Sequence, residues 1–278
     1  LRKARAAAGP YADAAFLERR ASEDLIERLE AIQRPFPRVL TIGGVATLAP
    51  IRAEADFSTA AAVSQGFGAS VIDPERLPFA DQAFDLILAP LSLCWANDLP
   101  GALVQLRRAL RPDGLLLATL YGPETLSQLR AVLLEAEAET TGGAALRIAP
   151  FPALQEAAGL LQRAGFALPA ADREVLTVHY RDPMRLLADL RCMGETAALA
   201  SRPPPLRRET IARAIMLYQE RFARADGRVS ATFELVTLTG WAPHQSQQKP
   251  LKPGSAKTRL AEALGVAERS AGEKPPES

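Results

Sequence analysis

The sequence predicts an α/β fold: a mostly parallel sheet with helices on both faces. Three observations carry the prediction. Short apolar, β-branched runs alternate with helically spaced leucines and alanines through the first two thirds of the chain, the pattern of strands joined by crossover helices. Those runs end in glycine, aspartate or proline, as strands entering turns do. The 278 residues are 48% apolar, enough to bury a core and too apolar for a disordered chain.

The elements follow in order. Leu17, Leu25, Ile26 and Leu29 recur at helical spacing within residues 11–34, and Pro35 stops that run. Arg38–Ile42 reads as a buried strand ending at Gly43-Gly44. A second strand is expected to end at Asp56. Residues 69–72 run to Asp73-Pro74, and residues 84–89 run to Pro90. Residues 114–120 form the next strand, launched by a turn at Arg111-Pro112-Asp113-Gly114. Asp98 is the candidate N-cap for a helix carrying Leu99, Leu103, Leu106 and Leu110. Leu126, Leu129, Leu133 and Ala136 make a second stripe. Leu154, Ala158, Leu161 and Ala164 make a third, closed by Gly165. The crossovers are expected to be right-handed.

The last third departs from this rhythm. Residues 173–180 alternate as a strand does, Asp182-Pro183 starts a helix, and Ser201–Pro205 is a stiff spacer. Ile211, Ile215, Tyr218 and Phe222 mark a long helix, and residues 231–235 alternate again. Residues 181–228 therefore read as a helical insertion, a lid, between the last two strands. It carries ten arginines against six acids. One domain is expected over 1–244. Residues 245–278 form a polar tail, partly disordered, with one short helix at 257–268.

Charge and composition exclude several functions. The 33 basic and 32 acidic residues nearly cancel, which argues against a nucleic-acid partner bound mainly by charge. No stretch of 18 apolar residues occurs, so no membrane-spanning helix is expected. The start, Leu1–Arg5, is basic without an apolar core behind it, so no secretory leader is expected. Cys94 and Cys192 are too few for a disulfide framework, and a cytoplasmic location follows.

In an open α/β sheet, ligands bind at the carboxyl ends of the strands. Gly43-Gly44 would let a ligand approach the backbone, Asp56 would accept ribose hydroxyls, and Asp73 would receive an exocyclic amine. Together they describe a nucleoside pocket. The same residues also read as a tight turn and two helix caps. Cys94, Trp95, Tyr121 and Glu124 follow the fourth and fifth strands and form the candidate substrate pocket. Cys94 has no visible base to activate it and reads as lining or core. Trp95 and Trp241 read as lining or core as well. Glu124 could hold an amine or cap a helix near Thr125. His179 in a strand and His244 in a loop are the only histidines. Two histidines and a carboxylate make a typical non-haem iron site, and no such set is legible here; no metal ligand and no catalytic residue is assigned.

Further motifs narrow the reading. Leu77-Pro78-Phe79, Phe84-Asp85-Leu86, residues 91–100 and Arg111–Gly114 resemble class I S-adenosylmethionine-dependent methyltransferases. Gly122–Leu126, Met193-Gly194-Glu195, Gly240–His244 and Pro253–Ala256 resemble the bacterial relatives of the mitochondrial complex I assembly factor that acts as a protein arginine hydroxylase. The resemblance implies a Rossmann-like sheet of seven strands whose last strand is antiparallel. It implies a cofactor against Gly43, Gly44, Asp56, Asp73, Pro74 and Leu91. It also implies a protein substrate, or a respiratory complex subunit, as partner. A second resemblance is to the malonyl-carrier-protein O-methyltransferase of biotin synthesis.

This chain departs from the pattern at four places. Thr41 stands where an acid is usual and Val45 where a glycine is. Only 13 positions separate Gly43 from Asp56, against about 20 in a dinucleotide-type unit, so the first crossover helix must be short. Pro74 lacks the N–H that would meet adenine. Cys94 stands where histidine is usual. S-adenosylmethionine binding is therefore expected to be weak or lost, and a non-catalytic assembly or chaperone role stays open beside enzymatic ones.

Overall fold

A computed structural model describes residues 14–44, 47–62, 70–194 and 203–247. Contacts divide the chain into two units, Leu1–His244 and Gln245–Ser278; the first is described below. Val45, Glu195, Pro253–Ala256 and the helix expected at 257–268 lie outside the described residues.

In the first unit, helix α1 (Phe16–Glu30) precedes strand β1 (Arg38–Ile42), a short helix α2 (Ala49–Ala53), β2 (Phe57–Ala62), β3 (Ser70–Val71) and β4 (Phe84–Pro90). Then come α3 (Leu99–Ala109), β5 (Leu110–Tyr121), α4 (Ser127–Thr141), α5 (Leu154–Arg163), β6 (Ala167–Tyr180), α6 (Pro183–Cys192), α7 (Arg208–Phe222) and β7 (Val229–Trp241). The sheet order is β3-β2-β1-β4-β5-β7-β6. Neighbours from β3 to β5 pair in parallel, and β7 runs antiparallel to both β5 and β6. This is the expected seven-stranded, Rossmann-like sheet, with α6 and α7 inserted between its last two strands.

Local chemistry explains the boundaries. Asp98 accepts the Gly101 N–H at 2.9 Å and starts α3; Asp182 does the same for Arg185 at the start of α6. Each satisfies an orphan donor of the first turn. The expected turn at Arg111–Gly114 is instead an irregular start to β5: Asp113 lies at φ +63°, and Asp113 and Gly114 exchange backbone hydrogen bonds with Ala242.

The core has two sides. On one, Leu40, Ile42, Ile87 and Leu116 of the sheet pack against Leu103 and Leu106 of α3 and Leu161 of α5. On the other, Leu25 of α1 packs with Val39, Leu86, Leu88 and Leu117. A further cluster joins Leu17, Tyr121 and Phe233 to α4, α6 and α7. Arginines of the insertion face α4 rather than open solvent: Arg213 pairs with Glu139 at 2.6 Å, and Arg221 with Glu135 at 2.5 Å. The basic excess read from sequence is thus partly neutralised within the fold.

Candidate functional site

The carboxyl ends of β1, β4 and β5 converge. Gly43 and Gly44 leave β1 at φ +80° and +58°, a conformation that side chains disfavour. The space above them is already taken. A Cβ on Gly44 would meet Ser22 Oγ at 2.7 Å and Pro90 Cγ at 2.8 Å. The Gly43 N–H donates to the Ala61 carbonyl at 2.9 Å. The Gly44 N–H donates to Glu18 Oε1 at 2.6 Å, a charge-assisted bond from the turn to helix α1. Both amide donors of the glycine turn are therefore used by the chain itself.

Helix α1 is fastened where it lies. Ser22 Oγ returns to the Glu18 carbonyl at 2.7 Å. Arg20 forks onto Glu174 of β6 at 2.9–3.1 Å, and Arg28 forks onto Asp172 at 2.6 Å. Asp24 accepts from Thr237 of β7 at 3.0 Å. Phe16 meets the Phe233 ring edge-on.

The end of β4 is strained. Leu91 is buried at φ +53°, a left-handed geometry costing about 1–2 kcal/mol for an L side chain. The Leu91 N–H bonds the Thr119 carbonyl at 2.9 Å, and Ser92 Oγ donates to the Ile42 carbonyl at 2.6 Å, tying β4 to β1. Cys94 Sγ accepts from the Tyr121 N–H at 3.3 Å, tying β4 to β5.

The expected acids divide. The strand expected to end at Asp56 instead begins just after it: Phe57 pairs with Arg38 at the start of β1. Asp56 therefore stands at the amino end of the sheet, exposed and away from the glycine turn. Ser58–Ala62 lacks an apolar alternation, so pairing with β1 rather than pattern makes the strand. Asp73 follows β3 at the correct end, exposed, and its Oδ1 accepts the Glu75 N–H at 3.1 Å within its own turn. Pro74 is buried. Glu75 then ties that turn to the segment after β4, accepting from Asn97 N at 2.6 Å and Asn97 Nδ2 at 2.9 Å.

Trp95 and Tyr121 line one cavity of about 50 Å³, together with Phe151, Phe233, Leu190 of α6 and Arg147. The Trp95 indole Nε1 is buried without a hydrogen-bond partner among the described residues. Arg147 is paired with Glu137 and gives a second bond to the Pro204 carbonyl at 2.6 Å. The guanidinium holds the Glu137 carboxyl below its ordinary range. Glu124 is exposed and absent from this lining. Its backbone N–H is capped at 2.9 Å by the buried carboxylate of Glu234. A Cβ on Gly122 would collide with that carboxyl group, so glycine is required there. Glu234 carried a legible signal, a lone acid in the apolar run of β7. Glu18, Ser22 and Arg147 carried none, because their roles depend on packing across distant segments.

His179 Nδ1 lies 3.2 Å from Ser230 Oγ, exposed on β6. Among the described residues no three His, Cys, Asp or Glu side chains gather as a metal-holding group, and no helix is long and apolar enough to cross a membrane.

A family model described as "Methyltransferase domain" matches residues 43–118. The mitochondrial arginine-hydroxylase NDUFAF5 of Danio rerio is 42% identical over 190 residues, covering 68% of this chain and 59% of that protein. The chain thus spans about three fifths of that relative's length. The malonyl-[acyl-carrier protein] O-methyltransferase of Halorhodospira halophila is 32% identical over 263 residues, covering 88% and 87%. A solved structure of a candidate methyltransferase from Bacillus halodurans superposes with a TM-score of 0.52 at 15% identity, covering 80% of this chain and 98% of that one. That last likeness concerns the fold alone.

Proposed function

The chain belongs to the methyltransferase-domain family of the class I fold, and on that footing we propose a protein-modifying methyltransferase-like protein of respiratory complex I assembly, close to the arginine-hydroxylase branch. The identity to that branch, 42% over 190 residues against 32% over 263 for the carrier-protein methyltransferase, supports it. S-adenosylmethionine is the cofactor that the family implies. The residues present do not cradle it in this arrangement. Gly43 donates to Ala61, Gly44 donates to Glu18, Asp73 holds its own turn, Pro74 has no N–H, and Asp56 stands at the opposite end. No catalytic step is derived through it.

The observation that carries the reading is the Glu18–Gly44 bond. It makes cofactor binding a competition: α1 must release the turn before a ligand can lie against it, so affinity is weak. The same bond favours a second reading, a non-catalytic assembly or chaperone protein that kept the fold. Titration of S-adenosylmethionine by calorimetry, with Trp95 and Trp241 fluorescence as a second readout, separates the two. Weak, saturable binding supports the first; no binding at millimolar ligand supports the second; a submicromolar dissociation constant contradicts both. Rescue of growth in a biotin-requiring strain would instead assign the chain to malonyl-carrier-protein methylation.

A further inference from the structure

Helix α1 is held in two different ways along its length. Ala14 before it, and Leu17 and Ala21 on it, pack into the cluster shared with α4, α6 and α7, and Phe16 meets Phe233 there. Leu25, with Ile26 and Leu29 beside it, packs instead on Val39, Leu86 and Leu88 of the sheet. The polar contacts divide at the same place. Glu18 and Arg20 reach Gly44 and Glu174 from the first half. Asp24 and Arg28 reach Thr237 and Asp172 from the second. Ser22 stands between the halves, and its hydroxyl turns back onto the Glu18 carbonyl, a local bond that competes with regular helix geometry and bends it. The amino end is also weakly finished. Ala15 at the N-cap has no side-chain acceptor for the first-turn amides, and alanine is among the residues least favoured there.

We infer that α1 is a two-part strap with its joint at Ser22: the segment from Phe16 to Ala21 opens and closes over the glycine turn, while residues 25–30 stay on the sheet. Opening breaks the Glu18–Gly44 bond and the Arg20–Glu174 fork and leaves the Asp24 and Arg28 contacts intact. Burial of Leu17 and Ala21 keeps the closed form dominant. The Arg20–Glu174 pair sets the balance between the two forms. It also makes that balance sensitive to salt, because its side chains are 35% and 37% exposed and dissolved ions screen such a pair. The strap thereby regulates the glycine turn, a role that rests on the reading of that turn as the cofactor's side of the site.

Native-state amide exchange, followed by NMR on the full chain in increasing urea below the unfolding transition, tests the joint. Gly44 reports opening of the first half. Leu88, fully buried in β4, reports global unfolding. Gly44 is expected to exchange through an opening with a much shallower urea dependence than that of Leu88. Arg20→Gln is expected to accelerate Gly44 about two- to fivefold, the range for an exposed ion pair. Raised sodium chloride accelerates Gly44 in the wild type and has little effect in that variant. Arg28→Gln accelerates Leu88 and leaves Gly44 unchanged, because Asp172 keeps its arginine when the first half alone opens. Three results overturn the inference. A Gly44 urea dependence equal to that of Leu88 means no opening short of unfolding. Acceleration of Gly44 by Arg28→Gln means that the whole helix lifts. Indifference of Gly44 to Arg20→Gln means that the bond breaks by rotation of Glu18 alone. Calorimetry of S-adenosylmethionine with wild type and Arg20→Gln is read separately. Binding tightened by the same factor joins the strap to the cofactor; no binding to either protein sinks the reading of the turn, while the exchange data still decide the joint.

Discussion

Glu18 and Gly44 are 26 residues apart in sequence and joined at 2.6 Å, carboxylate to backbone N–H. Under the proposed reading, that bond competes with a nucleoside ligand for the glycine turn after β1. Glu18→Ala removes the acceptor and opens the turn. S-adenosylmethionine affinity is expected to rise about tenfold or more while the fold loses about 1.5–3 kcal/mol, the range for a hydrogen bond to a charged group. Calorimetry and urea denaturation measure the two effects; an affinity that falls with the substitution contradicts the competition.

Asp56→Ala should leave S-adenosylmethionine affinity and stability unchanged within about 0.5 kcal/mol, as for an ordinary surface site. Asp56 is exposed before β2, at the end of the sheet remote from the glycine turn. Loss of measured binding in this variant would return Asp56 to the ligand site.

Much of the fold was legible in the sequence, and these two residues show why the site was less so. The β1 and β4 strands announce themselves as continuous apolar runs, and Asp98 and Asp182 announce their helices by cap chemistry. Ser58–Ala62 is neither β-branched nor alternating enough to be read as a strand; its hydrogen bonds to β1 make it one. Asp56, which the sequence suggests as a strand end, therefore immediately precedes β2. The alternation in β6 shows only from residue 173, because Pro169 and the charges of its first half are tolerated on an edge strand and hide its length. Glu18 looked like any charge on a solvated helix. Its role appears only when α1 is laid across the sheet.

Gly44→Ala is expected to destabilise the protein by about 1–3 kcal/mol. The residue sits at φ +58°, and its Cβ would approach Ser22 Oγ at 2.7 Å and Pro90 Cγ at 2.8 Å. Left-handed strain of about 1–2 kcal/mol and the crowding act together. Thermal melts at matched concentration check it. Gly142→Ala, also at positive φ but with open space around it, isolates the strain from the crowding.

Arg147→Ala should cost about 3–5 kcal/mol, the range for stranding one member of a buried ion pair. Both side chains are nearly enclosed, at 11% and 9% exposure. Glu137→Gln, which keeps the shape and loses the charge, should cost less. Denaturant midpoints of the two variants give the order, and a neutral Arg147→Ala would show the pair to be dispensable.

The same pair predicts a pH dependence. Arg147 lowers the Glu137 carboxyl below its ordinary value near 4.5. The folded state therefore binds its proton less readily than the unfolded state. The stabilisation is complete above the unfolded value and is lost as pH falls through the lower, folded one. Acid titration of stability in the wild type and in Glu137→Gln should diverge above that window and converge below it; parallel curves would contradict this assignment.

The position of β7 between β5 and β6 also governs the order in which the molecule can be made. Among the described residues β6 has its sheet partner only in β7, the strand that comes last in sequence. The partners that fasten Arg20 and Arg28, Glu174 and Asp172, stand on β6, 154 and 144 residues downstream. On a ribosome, helix α1 can meet Gly44 and the apolar face of β1 and β4 early, but its arginine anchors on β6 emerge much later. The early strands can pair as they appear, but the anchoring of α1 to the far edge of the sheet waits for β6 and β7, and such long-range contacts form slowly. While β6 waits without a neighbour, Asp172, Arg173 and Glu174 along it are the charges that discourage pairing with another chain.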